Sequence, residues 1–435
     1  MTGTAAQRFL AALVDGGGTV PPELGAVRSL VERGHDVTVL AEDSVAPEVR
    51  ATGARLRRWT SAPNRPDRRP ENDPYRDWEV SNPLQLFDRL IETQFVGPAR
   101  GYVADLADAI AEQHPDAVLC SQFALGAMIA AEAAGIPFVV LMPNAYLLPR
   151  EGAPPFGLGL RPARGVLGRL RDRTISGVIQ RQWDRKALPR LNALRAELGL
   201  GPLEHFWQQI HHAHAELVMT SAAFDFPAAL PATARYVGPV LDDPSWSEPW
   251  TPPPGEDPLV LVGLSSTFQD QVGCLQRIAD ALGTLPVRAV ATTGPAIDPS
   301  VVQAPPTVSV VASAPHARVL EHAAVTITHG GHGTVIKSLA AGVPLLVIPH
   351  GRDQADNAAR ITARGVGITV PRTARPPAIA RALRTLLDDP GYRDRARELG
   401  AVVRRDATSG LLVRELERAA AAPAPRRPPG RAPLP

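Results

Sequence analysis

The hydrophobic positions form short apolar runs that alternate with helical patterns along most of the chain. The run 8–14 is followed by a glycine-rich turn, a helical pattern from about Pro21 and a second apolar run at 37–41. Short apolar runs bounded by turn residues are typical of buried strands, whereas apolar residues that recur once per helical turn are typical of helices. A strand, a helix and a second strand in this order predict a βαβ unit with parallel strands.

The same alternation continues far into the second half of the chain. Further buried strands are predicted at 117–120, 137–142, 259–264, 287–292, 308–312, 324–328 and 345–348. The segment 241–257 interrupts the pattern, because it is rich in proline and acidic residues and has no periodicity, as is typical of a linker. We therefore predict an α/β protein with two doubly wound domains, at 1–240 and 258–404, whose strand ends face each other across a ligand-binding cleft.

The remaining segments are expected to lie outside the two sheets. A C-terminal helix is predicted at 405–420, packing back on the first domain, and a disordered tail of proline, alanine and arginine at 421–435. The polar, proline-rich segment 61–80 is long for a connection inside a domain, so we expect a mobile rim of the cleft. The segment 143–165 contains apolar residues among prolines and glycines, which favours a flexible rim for an apolar ligand.

Composition and charge narrow the classes of partner. The 435 residues exceed what one hydrophobic core supports, since cores stop growing near roughly 250–300 residues. No apolar stretch approaches the roughly 18–20 residues that cross a bilayer, so no membrane span is expected. The net charge of +2 shows no electrostatic footprint for nucleic acid. These observations favour a small-molecule partner.

The cysteines and the N-terminus favour a reducing compartment. Cys120 and Cys274 both lie in apolar stretches, which is typical of inert core thiols. The first apolar run has only about seven residues and ends at Asp15, so it predicts a strand and not a signal peptide. We expect a cytoplasmic protein, and a homodimer stays open.

A glycine-rich turn follows the predicted strand 324–328. Its sequence is His329-Gly330-Gly331-His332-Gly333-Thr334, and a helical pattern comes next. A helix that begins at a strand end presents free backbone N–H groups and the positive end of the helix dipole. Glycines allow a phosphate to approach the backbone closely. The turn therefore predicts a pyrophosphate site, although similar turns also occur in α/β proteins without a ligand.

The next predicted strand ends close to an acid and an amide. Asp353 and Gln354 offer a carboxylate and a carboxamide, which are suited to binding sugar hydroxyls. An Asp-Gln pair in a loop is also compatible with simple solvation. An anion site and a polyol site on adjacent strand ends of one domain nevertheless favour a sugar that carries a phosphate.

The segment 329–357, HGGHGTVIKSLAAGVPLLVIPHGRDQADN, resembles the donor signature of a glycosyltransferase family. This is the GT-B family that contains the UDP-glycosyltransferases and the bacterial antibiotic glycosyltransferases, built from two Rossmann-like domains. The resemblance implies transfer of a sugar from a dTDP- or UDP-sugar to a hydroxyl of a small apolar natural product. It also implies inversion at the anomeric carbon and no metal or other cofactor.

The resemblance assigns donor-binding roles to positions in the second domain. His329 matches a residue that contacts a donor phosphate, while Asp353 and Gln354 match residues that bind the sugar. The positions that match residues around the pyrophosphate are Gly331, Gly333, Thr334 and Ser266. Ser313 and His316 match the segment that packs on the base.

Lys337 departs from the family pattern. Many members have a glutamate there that holds the ribose hydroxyls, and a lysine cannot accept hydrogen bonds from hydroxyls. A deoxyribose donor such as a dTDP-sugar is one explanation, and a cationic contact to phosphate is another. A solvated helix residue is a third.

The acceptor side departs from the family most strongly. Thr19 stands in place of the histidine base, and Ser121 stands in place of its aspartate partner. A threonine hydroxyl is not a credible general base near neutral pH. Asp15 is the candidate for that role, because burial at the cleft would raise its pKa. Asp15 could equally bind the N–H groups of its own glycine turn.

Two alternatives to a transferase remain open on sequence grounds. The missing dyad is compatible with a non-catalytic donor-binding homologue that assists another enzyme, and a GT-B sugar-nucleotide epimerase is a second alternative. His211 and His214 lie one helical turn apart without a third ligand nearby, so we expect a polar helix face and no metal site.

Overall fold

The computed structural model describes residues 6–243 and 250–423, and it contains two α/β domains that each surround one parallel sheet. The strands of the first domain are β1 (Arg8–Ala12), β2 (Asp36–Ala41), β3 (Arg55–Arg58), β4 (Ala117–Ser121), β5 (Phe138–Met142), β6 (Ala215–Val218) and β7 (Ala234–Tyr236). Its helices are α1 (Val20–Glu32), α2 (Ala46–Ala51), α3 (Pro83–Leu90), α4 (Ala99–Gln113), α5 (Leu125–Ala134), α6 (Gly165–Lys186), α7 (Leu188–Glu197) and α8 (Gln208–His211).

The second domain repeats the arrangement. Its strands are β8 (Leu259–Gly263), β9 (Arg288–Thr292), β10 (Val308–Val311), β11 (Ala323–Thr328), β12 (Leu345–Val347) and β13 (Gly367–Thr369). Its helices are α9 (Val272–Leu282), α10 (His316–Leu320), α11 (His332–Ala340), α12 (Gln354–Ala363), α13 (Pro376–Asp388) and α14 (Pro390–Ala407), and the last helix of the chain is α15 (Leu411–Ala420). Shorter helical turns are Asp43–Val45, Pro70–Asn72, Asp77–Glu79, Ile91–Phe95 and Pro299–Val301.

Each central strand forms because it is apolar on both faces. All the residues of β4, β5 and β8 are buried, as expected for parallel strands that are covered by helices on both sides. The apolar runs therefore predicted these strands correctly. The edge strands β3, β7 and β13 were not predicted, because they are short and contain few apolar residues.

The strand order reverses in the middle of each sheet. The first sheet has the order β3-β2-β1-β4-β5-β6-β7, and the second has the order β10-β9-β8-β11-β12-β13. The chain therefore crosses over between β1 and β4 and again between β8 and β11, which leaves a crevice at the carboxyl ends of those strands. The predicted fold class, two doubly wound Rossmann-like domains, is confirmed.

The last helix joins the two domains. Helix α14 ends at Ala407, so the segment 405–420 is not one helix, and α15 lies against the first domain. Leu412, Leu416 and Ala419 pack into the core formed with β1 and α1. Glu417 adds a bidentate ion pair to Arg33 at 2.9 Å. The chain thus leaves the second domain and ends its described part on the first.

The helices and cysteines of the described residues are those of two helix-covered sheets. Within the described ranges, no helix has the length and apolar character needed to cross a bilayer. Cys120 and Cys274 are buried free thiols, as the sequence predicted. The tail expected at 421–435 lies outside the described residues from 424 onward, as does 244–249 of the predicted linker.

Candidate functional site

Loops of the two domains meet where the strand orders reverse. The loop after β1 contains Gly17, whose positive φ of 76° suits glycine. A Cβ atom built on Gly17 would lie 2.5 Å from Cγ2 of Thr267 and 3.7 Å from Oγ of Ser266, in the loop after β8. The Ser266 turn of the second domain therefore lies directly against the β1 loop of the first. This contact defines the cleft between the two crevices.

The predicted anion site lies at the end of β11. Helix α11 begins at His332, and its N-cap residue Gly331 provides no side chain to cap the first N–H groups. Gly330 has a φ of 99°, and a Cβ atom there would lie 3.0 Å from the carbonyl oxygen of Gln354. The turn is therefore built for glycine, and the start of the helix offers its backbone donors and dipole to an anion.

His329 is a neutral hydrogen-bonding group at this turn. Burial lowers its pKa to about 3, and the nearby His350 and Arg352 contribute further. The neutral imidazole has one N–H donor and one acceptor. A Cβ atom on Gly331 would lie 2.6 Å from Nε2 of His329, so the ring lies directly beside the first turn of α11.

The predicted base-binding segment lies on the other side of the β8 end. Gly263 pairs with Thr328 on one side and with Thr292 on the other. A Cβ atom on Gly263 would lie 2.9 Å from Cε1 of His316 and 3.4 Å from Cγ2 of Thr334. The structure therefore brings His316 and Thr334 together over one glycine.

His316 is held as a neutral ring. Burial lowers its pKa to about 4, and the neighbouring Lys337 ammonium has the same effect. Its Nε2 lies 3.1 Å from the Thr292 hydroxyl. Ser313 lies buried in the same loop, after β10. A neutral, partly covered ring beside a helix start is suited to an uncharged base.

Asp353 lies next to the anion site. Asn357 of α12 donates from Nδ2 both to the carbonyl oxygen of Gly330 at 2.9 Å and to Oδ2 of Asp353 at 2.8 Å. One carboxamide therefore fixes the acid relative to the glycine turn. Burial raises the pKa of Asp353 to about 6, while the Asn357 hydrogen bond opposes this rise.

Gln354 is occupied by protein groups. Its Oε1 accepts from the backbone N–H groups of His350 at 2.7 Å and Gly351 at 3.1 Å, and its Nε2 donates to Gln269 at 2.8 Å. These contacts hold the loop after β12 against the loop after β8. In this arrangement Gln354 positions the loop that carries Asp353, and its predicted contact to sugar stays a prediction.

Lys337 is not the solvated helix residue that the sequence left open. Its Nζ lies 2.8 Å from Oδ1 of Asp243, and both side chains are largely buried. Oδ2 of Asp243 accepts from the backbone N–H of Ala317 at 3.0 Å. The lysine therefore ties the linker to α10 and α11, and Asp243 supplies a carboxylate close to the position of the missing glutamate.

Asp15 does not have the raised pKa that was expected of it. Its side chain is buried, but Oδ2 lies 2.9 Å from both the Arg65 and the Arg68 guanidinium groups. Burial alone would raise the pKa of Asp15, yet the two arginines, with Arg68 the stronger, outweigh burial and lower it to about 2. Such a carboxylate is a weak proton acceptor.

The alternative interpretation of Asp15 is supported by the structure. Its Oδ1 accepts from the backbone N–H of Gly17 at 3.0 Å, and its Oδ2 accepts from the Ser44 hydroxyl at 2.8 Å. Asp15 therefore fixes the glycine loop that faces Ser266. The sequence offered this interpretation but not the two arginines, because they come from the segment 61–80, far along the chain.

Thr19 and Ser121, the two positions predicted to replace the catalytic dyad, lie at the beginning of α1 and the end of β4, and Glu23 lies beside Ser121. Thr19 is the N-cap residue of α1, and Ser121 ends β4. Glu23 is fully buried, and burial raises its pKa while the neighbouring Ser121 hydroxyl opposes the rise. Sequence reasoning missed Glu23. A signal was present, since the acid falls on the apolar face of α1 between Val20 and Val27.

The segment 61–80 lies at the cleft rim but is held in place. Arg65 and Arg68 anchor it to the β1 loop, and Asp77 reaches the second domain, where its Oδ2 lies 2.8 Å from Nε of Arg352. These ion pairs hold the segment at both ends of its polar stretch, and its expected mobility stays a prediction. Polar composition alone did not reveal these partners.

The segment 143–165 also contacts the second domain. Asp356 of α12 accepts from the backbone N–H groups of Gly157 at 2.6 Å and Gly159 at 2.8 Å. Phe156 and Leu158 beside these glycines are exposed. The segment therefore presents apolar side chains while its backbone is fixed by Asp356 of the second domain.

The polar helix face expected at His211 and His214 is wrong, because α8 ends at His211 and His214 directly precedes the buried strand β6. Nδ1 of His211 lies 2.9 Å from Oε1 of the buried Glu216, which also accepts from Thr233 and Tyr146. Across residues 6–243 and 250–423, no three His, Cys, Asp or Glu side chains come close enough to share a metal ion.

Comparison with known proteins identifies relatives of both domains. Residues 276–417 match the family model described as "Erythromycin biosynthesis protein CIII-like, C-terminal domain". The 4'-demethylrebeccamycin synthase of Lentzea aerocolonigenes is 27% identical over 400 residues, covering 90% of this chain and 94% of the relative. The oleandomycin glycosyltransferase of Streptomyces antibioticus is 29% identical over 401 residues, covering 88% and 84%.

Solved structures extend the likeness to the whole architecture. The calicheamicin glycosyltransferase superposes with a TM-score of 0.78 at 25% identity, covering 97% of this chain and 100% of that one. The glycosyltransferase of kitacinnamycin superposes with a TM-score of 0.76 at 24% identity, covering 95% and 99%. This chain is therefore a glycosyltransferase with the two-domain GT-B fold, and it is similar in sequence and in structure to the bacterial antibiotic glycosyltransferases.

Proposed function

We propose that the enzyme transfers a sugar from a dTDP- or UDP-sugar to a hydroxyl of a small apolar natural product, with inversion and without a metal ion. One observation carries the donor half of this proposal. The Asn357 carboxamide joins the Asp353 carboxylate to the glycine turn at the start of α11. A group that recognises hydroxyls is thereby fixed beside a group that recognises phosphate, as a sugar diphosphate requires.

The donor would lie along the carboxyl ends of the second sheet. Its diphosphate would occupy the start of α11, where Gly331, Gly333 and Thr334 surround it and His329 and Ser266 donate hydrogen bonds. Its base would pack against the Ser313–His316 loop, and its sugar would lie against Asp353. The Asp243–Lys337 pair would lie near the ribose, so recognition of that ring differs from the family pattern.

The chemistry would be a single in-line displacement. The acceptor oxygen forms a bond to the anomeric carbon while the bond from that carbon to the diphosphate oxygen breaks. The negative charge that develops on the diphosphate is stabilised by the N–H groups of α11 and by His329, which are already oriented toward it. These dipoles would replace the charge of a metal ion.

The acceptor is proposed on the side of the first domain. The exposed Phe156 and Leu158 of the rim segment are suited to an apolar molecule. Relatives of this chain are named for oleandomycin and for zeaxanthin, which are small natural products. The named relatives are transferases, which favours transfer over an auxiliary or epimerase role.

Calorimetric titration with UDP, dTDP and GDP tests the donor site. We expect binding of UDP or dTDP, and we expect His329→Ala to weaken it about tenfold or more, as for loss of a hydrogen bond to a charged group. Asp353→Ala should weaken binding of the sugar nucleotide and leave the affinity for the nucleoside diphosphate unchanged, because Asp353 is proposed to contact the sugar alone.

Matched controls come from the same domain. His322→Ala changes an exposed histidine at the opposite end of β11, and Asp388→Ala changes an exposed acid at the end of α13. Both should bind donor normally. Absence of binding to every nucleoside diphosphate, or equal affinities for His329→Ala and the wild type, would contradict the donor site.

A further inference from the structure

A buried acid without a hydrogen-bond partner lies at the acceptor side of the cleft. Both carboxylate oxygens of Glu23 are enclosed, and neither has a hydrogen-bond partner among the described residues. The hydroxyls of Thr19 and Ser121 are buried and unpartnered in the same way. These three side chains occupy the beginning of α1 and the end of β4, where the strand order reverses.

This arrangement contrasts with the other buried acids of the domain. Asp15 and Glu216 are each held by three or more polar groups. Burying a carboxyl group without such partners costs several kcal/mol. Because Glu23 lies on the apolar face of α1 among leucine and valine, an apolar residue would stabilise the fold better. A role in folding therefore does not explain the acid.

The cluster is directed toward the cleft through Thr19. Residues one helical turn apart share a helix face, and the backbone N–H of Glu23 bonds to the carbonyl oxygen of Thr19 at 3.3 Å. A Cβ atom on Gly16 would lie 2.8 Å from Oγ1 of Thr19, so this hydroxyl lies against the loop that faces the donor domain. Thr19 thus lies between Glu23 and the cleft.

We propose that Glu23 is the proton acceptor of the transfer reaction and that the Thr19 hydroxyl relays the proton to it. The proposal rests on the function proposed above. As the acceptor oxygen attacks the anomeric carbon, its proton moves to Oγ1 of Thr19, while the Thr19 proton moves to the Glu23 carboxylate, a step that requires these two unpartnered side chains to close to hydrogen-bond distance. The diphosphate leaves with the electron pair of the broken bond. The Ser121 hydroxyl lies beside this carboxylate.

The electrostatics of the cluster agree with this role. Burial raises the pKa of Glu23 well above its usual value, the Ser121 hydroxyl opposes the rise, and the Asp15 carboxylate adds to it. The Cys120 thiol on β4 also lies close, and burial raises its pKa, with a further contribution from Glu23. A carboxyl group with a raised pKa is a stronger proton acceptor than the ordinary group.

Glu23→Gln tests the proposal, with Glu32→Gln on the exposed face of the same helix as the control. We expect Glu23→Gln to lower kcat about 100-fold or more, as for loss of a general base, while affinity for UDP or dTDP stays unchanged. The wild-type rate should rise with pH as Glu23 ionises, and the variant should lack this rise. Glu32→Gln should match the wild type in both respects.

A rescue experiment separates catalysis from folding. Ser121→Asp places a carboxylate at the end of β4. The double variant Glu23→Gln/Ser121→Asp should therefore have a kcat at least tenfold higher than that of Glu23→Gln alone. Thr19→Val should slow transfer while Thr19→Ser does not, which tests the relay even if Glu23→Gln fails to fold. Circular dichroism and thermal melting report on folding for each variant.

The acceptors are a panel of alcohols and phenols, assayed with radiolabelled UDP-glucose and dTDP-glucose. Aliphatic alcohols should depend on Glu23 more than phenols do, because a phenol releases its proton more easily. If the wild type transfers sugar and Glu23→Gln or Thr19→Val transfers within about threefold of it, the proposal fails while the proposed function stands. If the wild type binds no nucleoside diphosphate or glycosylates no acceptor, both fail.

Discussion

The two acids of the β1 loop and the following helix show how their surroundings decide the behaviour of a carboxyl group. Asp15 and Glu23 are both buried in the first domain. Asp15 lies between two guanidinium groups and is held as an anion, whereas Glu23 lies beside the Ser121 hydroxyl on an apolar helix face, and burial raises its pKa. The side chain that looked catalytic from its position in the sequence is therefore structural.

Asp15→Asn should lower the free energy of unfolding, and it should not remove the proton acceptor of the reaction. The substitution leaves Arg65 and Arg68 with an uncharged partner, and breaking a buried ion pair from one side costs about 3–5 kcal/mol. Urea unfolding at pH 7 would measure this. A variant as stable as the wild type would show that the pairs contribute nothing.

The same acid predicts how stability changes with pH. The folded pKa of Asp15 is about 2, below its usual 3.8, so its contribution is complete above about pH 5 and is lost as the pH falls through 2. The free energy of unfolding measured between pH 6 and pH 2 should therefore fall less in Asp15→Asn than in the wild type. Identical pH dependences of the two proteins would contradict the lowered pKa of Asp15.

At the scale of the elements, the glycine-rich turns and the central strands follow local rules, and the C-terminal helix does not. Helix α15 follows α14 in the chain but packs on the other domain, through Leu412, Leu416 and Ala419. Its apolar face was visible in the sequence, but the surface that it covers was not. The helix binds the two domains into one molecule by returning the chain to the first.

Leu416→Ala should destabilise the first domain. Leu416 is fully buried against the core around α1, and truncation of such a leucine costs about 2–5 kcal/mol through lost burial and the cavity left behind. The denaturant midpoint of the variant gives the measurement. Leu411→Ala, on the same helix at 39% exposure, should change stability little. Equal effects of both substitutions would show that α15 is not docked.

At the scale of the whole molecule, charged side chains cross from one domain to the other at several points. Asp77 pairs with Arg352, Asp356 holds the backbone of the 143–165 segment, and Asp225 pairs with Arg360 at 2.8 Å. Arg352 directly precedes the proposed sugar-binding Asp353. The contacts across the cleft are therefore linked to the geometry of the proposed donor site.

Asp77→Asn should weaken the contact across the cleft. A partly exposed pair contributes up to about 1 kcal/mol, so we expect KM for the sugar nucleotide to rise about two- to fivefold while kcat changes less. Steady-state kinetics with the acceptor saturating would test this. Asp67→Asn, in the same segment but paired only within it, is the control. An equal rise of KM in Asp77→Asn and Asp67→Asn would show that the pair across the cleft does not contribute to donor binding.

The sequence by itself determined the two-domain α/β fold, the central strands and the glycine turn before α11. Each of these features depends on periodicity or turn chemistry within a few neighbouring residues, so the local sequence is sufficient to predict it. The positions of His329, Thr334 and Asp353 followed from the same local patterns, because the ends of parallel strands meet at one edge of a sheet.

Only the tertiary structure decided the state of the charged and polar groups. Asp15 acquires its arginines from the segment 61–80, Lys337 acquires Asp243 from the linker, and Glu23 meets Ser121 from another strand. A pKa depends on burial and on charges within a few ångströms, and those neighbours come from distant parts of the chain. For that reason the sequence was sufficient to predict the donor side, whereas the candidate base emerged only from the packed structure.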